Sequence, residues 1–144
     1  MQKALVLAKK AYAKDEVPIG ALIVDASGTI IARSYNVSQM AHTQTAHAEL
    51  RALAKAGKAV GDWRLEGCWM YVTLEPCSMC MNALILSRIQ GVIYGATSPL
   101  FGFEKIAKND GSRLYKTNTL AIIGGVCKQE AIDLLQQFFK NKRK

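Results

Sequence analysis

The amino-acid sequence predicts an α/β fold in which helices cover both faces of a mixed sheet of about five strands. Segments with helical periodicity alternate with short, apolar, β-branched segments, and the first two strands are separated only by a turn. The 144 residues suit one domain of ordinary size. Half of them are apolar and 21% are charged, which is the balance of a globular chain. We therefore expect residues 1–144 to form a single three-layer α/β/α domain.

The N-terminal part of the chain is predicted to form a helix and then a hairpin. Residues 3–14 carry apolar side chains on one face at helical spacing and lysines on the other. Pro18 ends this helix, because a proline disfavours the helical conformation in the residue before it. Residues 19–25 and 29–33 are apolar and β-branched, and the Ala-Ser-Gly sequence between them favours a hairpin turn. The polar residues 36–44 are expected to form a loop.

The middle of the chain is predicted to form a helix, a strand and a second helix. Residues 46–58 have alanine and leucine at helical spacing, and Gly57 is expected to be the C-cap. Residues 68–74 have the composition of a compact strand. Pro76 stands where helices favour beginning, so residues 77–86 are predicted to be the next helix.

The C-terminal part contains two apolar segments and one amphipathic helix. Residues 91–95 (GVIYG) predict a short buried strand, and residues 120–123 are also apolar. Glycine, proline and charged residues break any periodicity in residues 96–118, which we leave unassigned. Residues 128–142 are predicted to form an amphipathic helix with a basic end.

Composition and charge indicate a cytoplasmic protein with an anionic partner. No segment approaches the roughly 20 apolar residues of a membrane span, and the N-terminal segment lacks the features of a signal peptide. Four cysteines in such a chain favour a metal, a redox pair or core thiols over a disulfide framework. The net charge of +8 favours nucleic acid as the partner, with solubility alone as the alternative.

Cys77 and Cys80 form a C-x-x-C pair directly after Pro76. On the first turn of a helix the two sulfurs lie on one side. A helix N-terminus also favours thiolates through its dipole and its free N–H groups. The pair therefore suits zinc. Redox proteins share this spacing, but the sequence on either side of the pair lacks the order of elements found in thioredoxin-like proteins.

A second motif lies upstream, in residues 45–49 (TAHAE). His47 and two cysteines would make a catalytic type of zinc site, in which three protein ligands leave the fourth position to water. Zinc lowers the pKa of that water towards neutrality, and Glu49, beside the metal but not on it, would transfer protons. The combination of H-x-E with P-C-x-x-C is the known signature of zinc-dependent nucleobase deaminases.

Other interpretations of these residues remain open. His42 could join the other three side chains in a closed structural zinc site, although such a site needs no Glu49. Cys68 and Cys127 lie in apolar segments and are expected to be buried, inert thiols. Glu75 is expected to shape the site through its backbone rather than to act as a catalytic acid.

Several further stretches belong to a wider pattern, at residues 17–21 (VPIGA), 63–68 (WRLEGC), 71–80 (YVTLEPCSMC), 87–89 (SRI) and 94–96 (YGA). Together with TAHAE they resemble bacterial tRNA-specific adenosine deaminases from about residue 3 to residue 96, and again at residues 138–141 (FFKN). The resemblance implies a cytidine-deaminase-like fold with one zinc ion per subunit. It also implies a homodimer that converts the wobble adenosine of a tRNA anticodon stem-loop to inosine.

The resemblance assigns roles to individual positions of the metal site. His47, Cys77 and Cys80 would be the zinc ligands, and Glu49 would be the proton shuttle. The backbone N–H of Ala48 would face the base or the attacking water.

The resemblance also implies contacts with the substrate. Asn36 would hydrogen-bond the target nucleotide. Phe138 and Phe139 would lie near the RNA, and the basic tail would meet phosphates, with a solvated helix end as the alternative for the tail.

The segment after residue 96 departs from the family pattern. The family usually has an aspartate within two residues of YGA and then a glycine-rich loop that ends in Gly-Ser. Here residues 97–105 read TSPLFGFEK, with Ser98 in the place of the acid. That loop lies by the substrate in the family, so the difference bears on the choice of RNA. Drift in a tolerant surface loop is the alternative.

Two other functions compete with tRNA editing. A deaminase of a free nucleobase or nucleoside, such as guanine, cytosine or cytidine, would use the same zinc centre. The net charge of +8 favours RNA over such a neutral substrate. A non-catalytic RNA-binding subunit with a structural zinc would need no Glu49, and its closed site would not bind a small fourth ligand.

Overall fold

The computed structural model describes residues 1–104 and 120–144. The helices are α1 (Gln2–Tyr12), α2 (Ala48–Val60), α3 (Ser78–Leu86) and α4 (Lys128–Lys142), with a short 3-10 turn (Gln44–Ala46) before α2. The strands are β1 (Gly20–Val24), β2 (Ile30–Tyr35), β3 (Trp69–Leu74), β4 (Gly91–Ala96) and β5 (Ala121–Ile123). The unassigned segment 96–118 is described only as far as residue 104.

The strands form one five-stranded sheet in the order β2-β1-β3-β4-β5. β1 runs antiparallel to β2 and β3, whereas β3, β4 and β5 are parallel. The predicted hairpin is β1–β2, and α3 provides the crossover that the parallel pair β3–β4 requires. The predicted mixed sheet is therefore confirmed.

Helices cover both faces of the sheet, because side chains alternate between the faces along each strand. On β1, Ala21 and Ile23 pack with side chains of α2 and α3, whereas Leu22 packs with α1. A further cluster joins α1 to α4 through Leu5 and Ala131. One face thus carries α2 and α3 and the other carries α1 and α4, which confirms the three-layer arrangement. Within the described ranges no helix combines the length and the apolarity that crossing a membrane would need.

Helix α2 ends later than the sequence predicts, and the prediction of Gly57 as its C-cap is wrong. Gly57 lies inside the helix, and Gly61 adopts the left-handed conformation at the C-cap, with φ 76°. The N–H of Gly61 donates to the carbonyl of Gly57 at 2.8 Å. Both positions are glycine and residues 58–60 are compatible with a helix, so the local sequence does not choose between them.

Candidate metal centre

The three predicted metal-binding side chains converge where the N-termini of α2 and α3 meet. Nδ1 of His47 lies 3.4 Å from Sγ of Cys80 and 3.8 Å from Sγ of Cys77. The three ligand atoms all lie within 4.8 Å of one another. In residues 1–104 and 120–144, no fourth His, Cys, Asp or Glu joins this cluster. The fold thus brings together three residues that are far apart in the sequence.

The donor set fits zinc. Thiolates and imidazole are the ligands that zinc favours, and three protein ligands leave a fourth position open. His42, the other histidine, is exposed and lies outside the cluster, with a left-handed backbone at φ 51°. The interpretation of a closed structural site that includes His42 is therefore wrong.

His47 is positioned by the short turn before α2. The turn Gln44–Ala46 ends at His47, which is the N-cap of the helix. On the outer side of the ring, Nε2 lies 3.3 Å from Oε1 of Gln44. With Nε2 as the donor to this amide oxygen, Nδ1 is the ring nitrogen that faces the two sulfurs. The local turn thereby selects the nitrogen that would bind the metal.

The two cysteines are positioned by the start of α3. Cys77 is the N-cap of this helix and is half-buried, whereas Cys80 is fully buried one turn later. Cys77 also bridges to Gly102, and the N–H of Phe103 donates to the carbonyl of Pro76 at 3.0 Å. The loop after β4 is therefore hydrogen-bonded to the residues at the start of α3.

The three side chains of the cluster shift one another's pKa values through hydrogen bonds. A hydrogen bond from Cys80, with a further one from His47, lowers the pKa of Cys77 from 9.0 to about 4. The same interaction with Cys77 is the main reason that the pKa of Cys80 is raised. The hydrogen bond to Cys77 also raises the pKa of His47. Metal binding requires deprotonated ligands, so it would displace the protons that these three side chains carry.

Glu49 lies in the first turn of α2, two residues after His47. Its side chain is buried, with 4% of the residue exposed, and Oε2 has no hydrogen-bond partner among the described residues. Burial is the main cause that raises its pKa from 4.5 to about 7. A buried carboxyl with a free oxygen and a pKa near neutrality can both accept and release a proton.

Asn36 and Ala48 lie on the elements that surround the cluster. Asn36 directly follows β2 and is buried, and its carboxamide bonds to Glu16 and Ser38. Ala48 is the first residue of α2 and is fully buried. Its N–H has no acceptor within the helix, since a helical N–H donates to a carbonyl four residues earlier and no residue of the helix precedes Ala48.

Phe138 and Phe139 do not join the metal cluster. Both lie on α4, across the sheet from α2 and α3. Phe138 is buried against Tyr12 of α1, with ring centroids 5.7 Å apart, whereas Phe139 is 46% exposed. An RNA contact by these residues would therefore lie away from the metal.

Two buried carboxylates make hydrogen bonds that the sequence does not predict. Glu16 accepts hydrogen bonds from the loop after β2, and Glu75 accepts from the backbone N–H groups of Ser98 and Glu104. Glu75 thus acts through its side chain, and not only through its backbone as the sequence predicts. Of the other two cysteines, Cys68 is buried as predicted, whereas Cys127 is only half-buried.

Comparison with known proteins agrees with a metal-dependent deaminase. Residues 1–96 match the family described as the cytidine and deoxycytidylate deaminase zinc-binding region. The tRNA-specific adenosine deaminase of Bacillus subtilis (strain 168) is 42% identical over 144 residues, which is 100% of this chain and 89% of that protein. A structure from a study of A-to-I editing by tRNA:A34 deaminases at the wobble position has a TM-score of 0.83 and 37% identity, and the match covers 94% of this chain and 97% of that one. Guanine deaminase from Nitrosomonas europaea has a TM-score of 0.80 and 25% identity, with 95% and 81% of the two chains covered.

Proposed function

Since the chain belongs to the cytidine and deoxycytidylate deaminase family, we propose that it converts the wobble adenosine of tRNA to inosine by hydrolytic deamination. The observation that carries the proposal is the buried carboxyl of Glu49 beside a three-ligand metal cluster. Full-length similarity to tRNA-specific adenosine deaminases supports the choice of substrate.

His47, Cys77 and Cys80 would hold one zinc ion. Zinc in a three-ligand site supplies an activated water as the nucleophile at neutral pH. Glu49 accepts a proton from the attacking water and delivers it to a ring nitrogen of adenine, while the water oxygen bonds to C6. Glu49 then carries the second proton from the new hydroxyl at C6 to the amino group, the bond between C6 and the amino nitrogen breaks, and ammonia leaves. The near-neutral pKa of Glu49 suits both transfers, as does its Oε2, which has no hydrogen-bond partner in residues 1–104 and 120–144.

The backbone around Glu49 would orient the base. The N–H of Ala48 points from a helix N-terminus, where the dipole favours an electron-rich oxygen or nitrogen. Asn36 would hydrogen-bond the target nucleotide. A base in a single-stranded loop is unstacked at low cost, so an anticodon loop suits a buried site of this kind.

The remaining assignments concern partners and location. The net charge of +8 favours contacts with RNA phosphates, which would include the basic residues at the end of α4. Phe138 and Phe139 on α4 would lie near the RNA away from the reacting base. We further propose a homodimer that acts in the cytoplasm, with a single catalytic domain per subunit; similarity to tRNA-specific adenosine deaminases supports tRNA as the substrate.

Deamination of a free nucleobase is the second candidate, because a guanine deaminase shares this fold. It would use the same metal cluster and Glu49, and it would differ in the walls of the pocket and in the need for RNA.

One experiment separates the two candidates. The zinc-loaded protein is incubated with an anticodon stem-loop that carries a wobble adenosine and, in parallel, with free adenosine, guanine, cytosine and cytidine. Inosine in the stem-loop alone supports tRNA editing, and loss of this product in Glu49→Ala shows that it comes from the proposed site. Ammonia from a free base, with the RNA unchanged, would replace tRNA editing by the second candidate.

A further inference from the structure

Glu16 is a buried carboxylate that the reaction scheme does not use. It lies between α1 and β1, and only 1% of it is exposed. Oε1 accepts from the backbone N–H of Met40 at 2.7 Å. Oε2 accepts from the backbone N–H of Gln39 at 3.1 Å and from Nδ2 of Asn36 at 3.3 Å. Three donors of the loop after β2 thus converge on one side chain from another part of the chain.

The carboxylate decides which way the amide of Asn36 points. A carboxylate accepts hydrogen bonds but does not donate them, so Asn36 must turn its NH₂ group and not its oxygen towards Glu16. On the other side, Oδ1 of Asn36 accepts from the hydroxyl of Ser38 at 2.7 Å. This arrangement leaves Asn36 one N–H and one lone pair in fixed directions.

The same loop is joined to the metal centre. The N–H of Asn36 donates to the carbonyl of Ile19 at 2.9 Å, and the N–H of Val37 donates to the carbonyl of Ala46 at 3.2 Å. Ala46 directly precedes His47. A shift of the loop at Asn36 would therefore move Ala46, the residue directly before a metal ligand.

We propose that Glu16 is a positioning residue, which holds the carboxamide of Asn36 in the one orientation that binds the target nucleotide. The inference rests on the proposed function, since it takes Asn36 to contact the substrate. In Glu16→Gln the new NH₂ group competes with the three N–H donors. Asn36 can relieve this conflict by flipping its carboxamide. The flip exchanges the hydrogen-bond donor and the acceptor that Asn36 presents to the substrate.

A double-mutant cycle on the zinc-loaded protein tests this proposal, with the variants Glu16→Gln, Asn36→Ala and their combination. We expect Glu16→Gln to lower kcat/KM on the stem-loop about tenfold or more, mainly through KM, as for the loss of a charge-assisted hydrogen bond. In the Asn36→Ala background the same change should cost little further, because there is no amide left to orient. An equal loss in both backgrounds would overturn the proposal and make Glu16 a general stabiliser of the loop.

Two comparisons sharpen the cycle. Glu75→Gln removes a similar buried carboxylate that holds a different loop, so its effect should add to that of Asn36→Ala. Glu16→Asp keeps the acceptor and should recover part of the binding lost in Glu16→Gln. Zinc content and the melting temperature of every variant show that the fold and the metal are retained.

A measurement on the unsubstituted protein covers the case in which Glu16→Gln does not fold. In an NMR spectrum of the zinc-loaded protein, we expect the side-chain NH₂ of Asn36 to exchange slowly with solvent because it is bound to Glu16, and to remain protected in Ser38→Ala. Rapid solvent exchange of this NH₂ in the wild type would refute the proposal. Absence of any RNA deamination by the wild type would instead refute the proposed function, and the NMR result would still report on Glu16.

Discussion

Replacing Glu49 with glutamine should stabilise the metal-free protein above neutral pH. Burial raises the pKa of Glu49 from 4.5 to about 7, so the folded protein keeps a proton that the unfolded chain releases in this range. The folded protein binds more protons there, so its free energy of unfolding falls as the pH rises from 4.5 to about 7. At about 1.4 kcal/mol for each tenfold change in proton affinity, the loss is about 3 kcal/mol. Glutamine has the same shape and no charge to bury, so the variant avoids this loss.

The assay is urea unfolding of both proteins with a chelator and a reductant present. At about pH 8 we expect Glu49→Gln to be more stable than the wild type by about 3 kcal/mol, and at about pH 5 by less than about 1 kcal/mol. Glu66→Gln is the control, because Glu66 is exposed in a surface ion pair with Arg88 and contributes about 0–1 kcal/mol. A stability difference between Glu49→Gln and the wild type that does not change with pH would refute the reasoning. With zinc bound, the same variant should retain the metal while kcat falls by about 10²- to 10⁴-fold.

Three further predictions concern the metal centre and its surroundings. Metal analysis should find zinc retained in Glu49→Ala and lost in Cys80→Ala, and zinc at the wild-type level in the latter would remove Cys80 from the ligand set. Because the pKa values of Cys80 and His47 are raised in the metal-free protein, protons must leave when zinc binds. Zinc affinity, measured by competition with a chelator, should therefore rise with pH through the neutral range, and a constant affinity would contradict this. Gly102→Ala should lower the unfolding free energy by about 1–3 kcal/mol, because the added Cβ would lie 2.3 Å from Oε2 of Glu75. Gly57→Ala, whose Cβ would meet no atom closer than 3.4 Å, is its control, and an equal urea midpoint for the two variants would argue against the crowding.

Much of the fold and the core of the site follow from local patterns. The alternation of apolar residues on β1 sends Ala21 and Ile23 to one face and Leu22 to the other, and this period of two follows from strand geometry alone. The C-x-x-C spacing places Cys77 and Cys80 on the first turn of a helix, where both sulfurs lie on one side. The sequence by itself therefore determined the mixed sheet, its two helical layers and the three residues that could hold a metal.

Other features were decided only when distant parts of the chain came together. The end of α2 at Gly61 could not be read locally, because Gly57 offered the same signal. Among the residues that the structure describes, Oε2 of Glu49 has no hydrogen-bond partner, and this depends on how the fold packs around it. Glu16 finds its partners at Asn36, Gln39 and Met40, 20 to 24 residues away. Hydrogen bonds of buried side chains are set by the geometry of packing and not by sequence spacing, so only the tertiary structure reveals which residues orient the site.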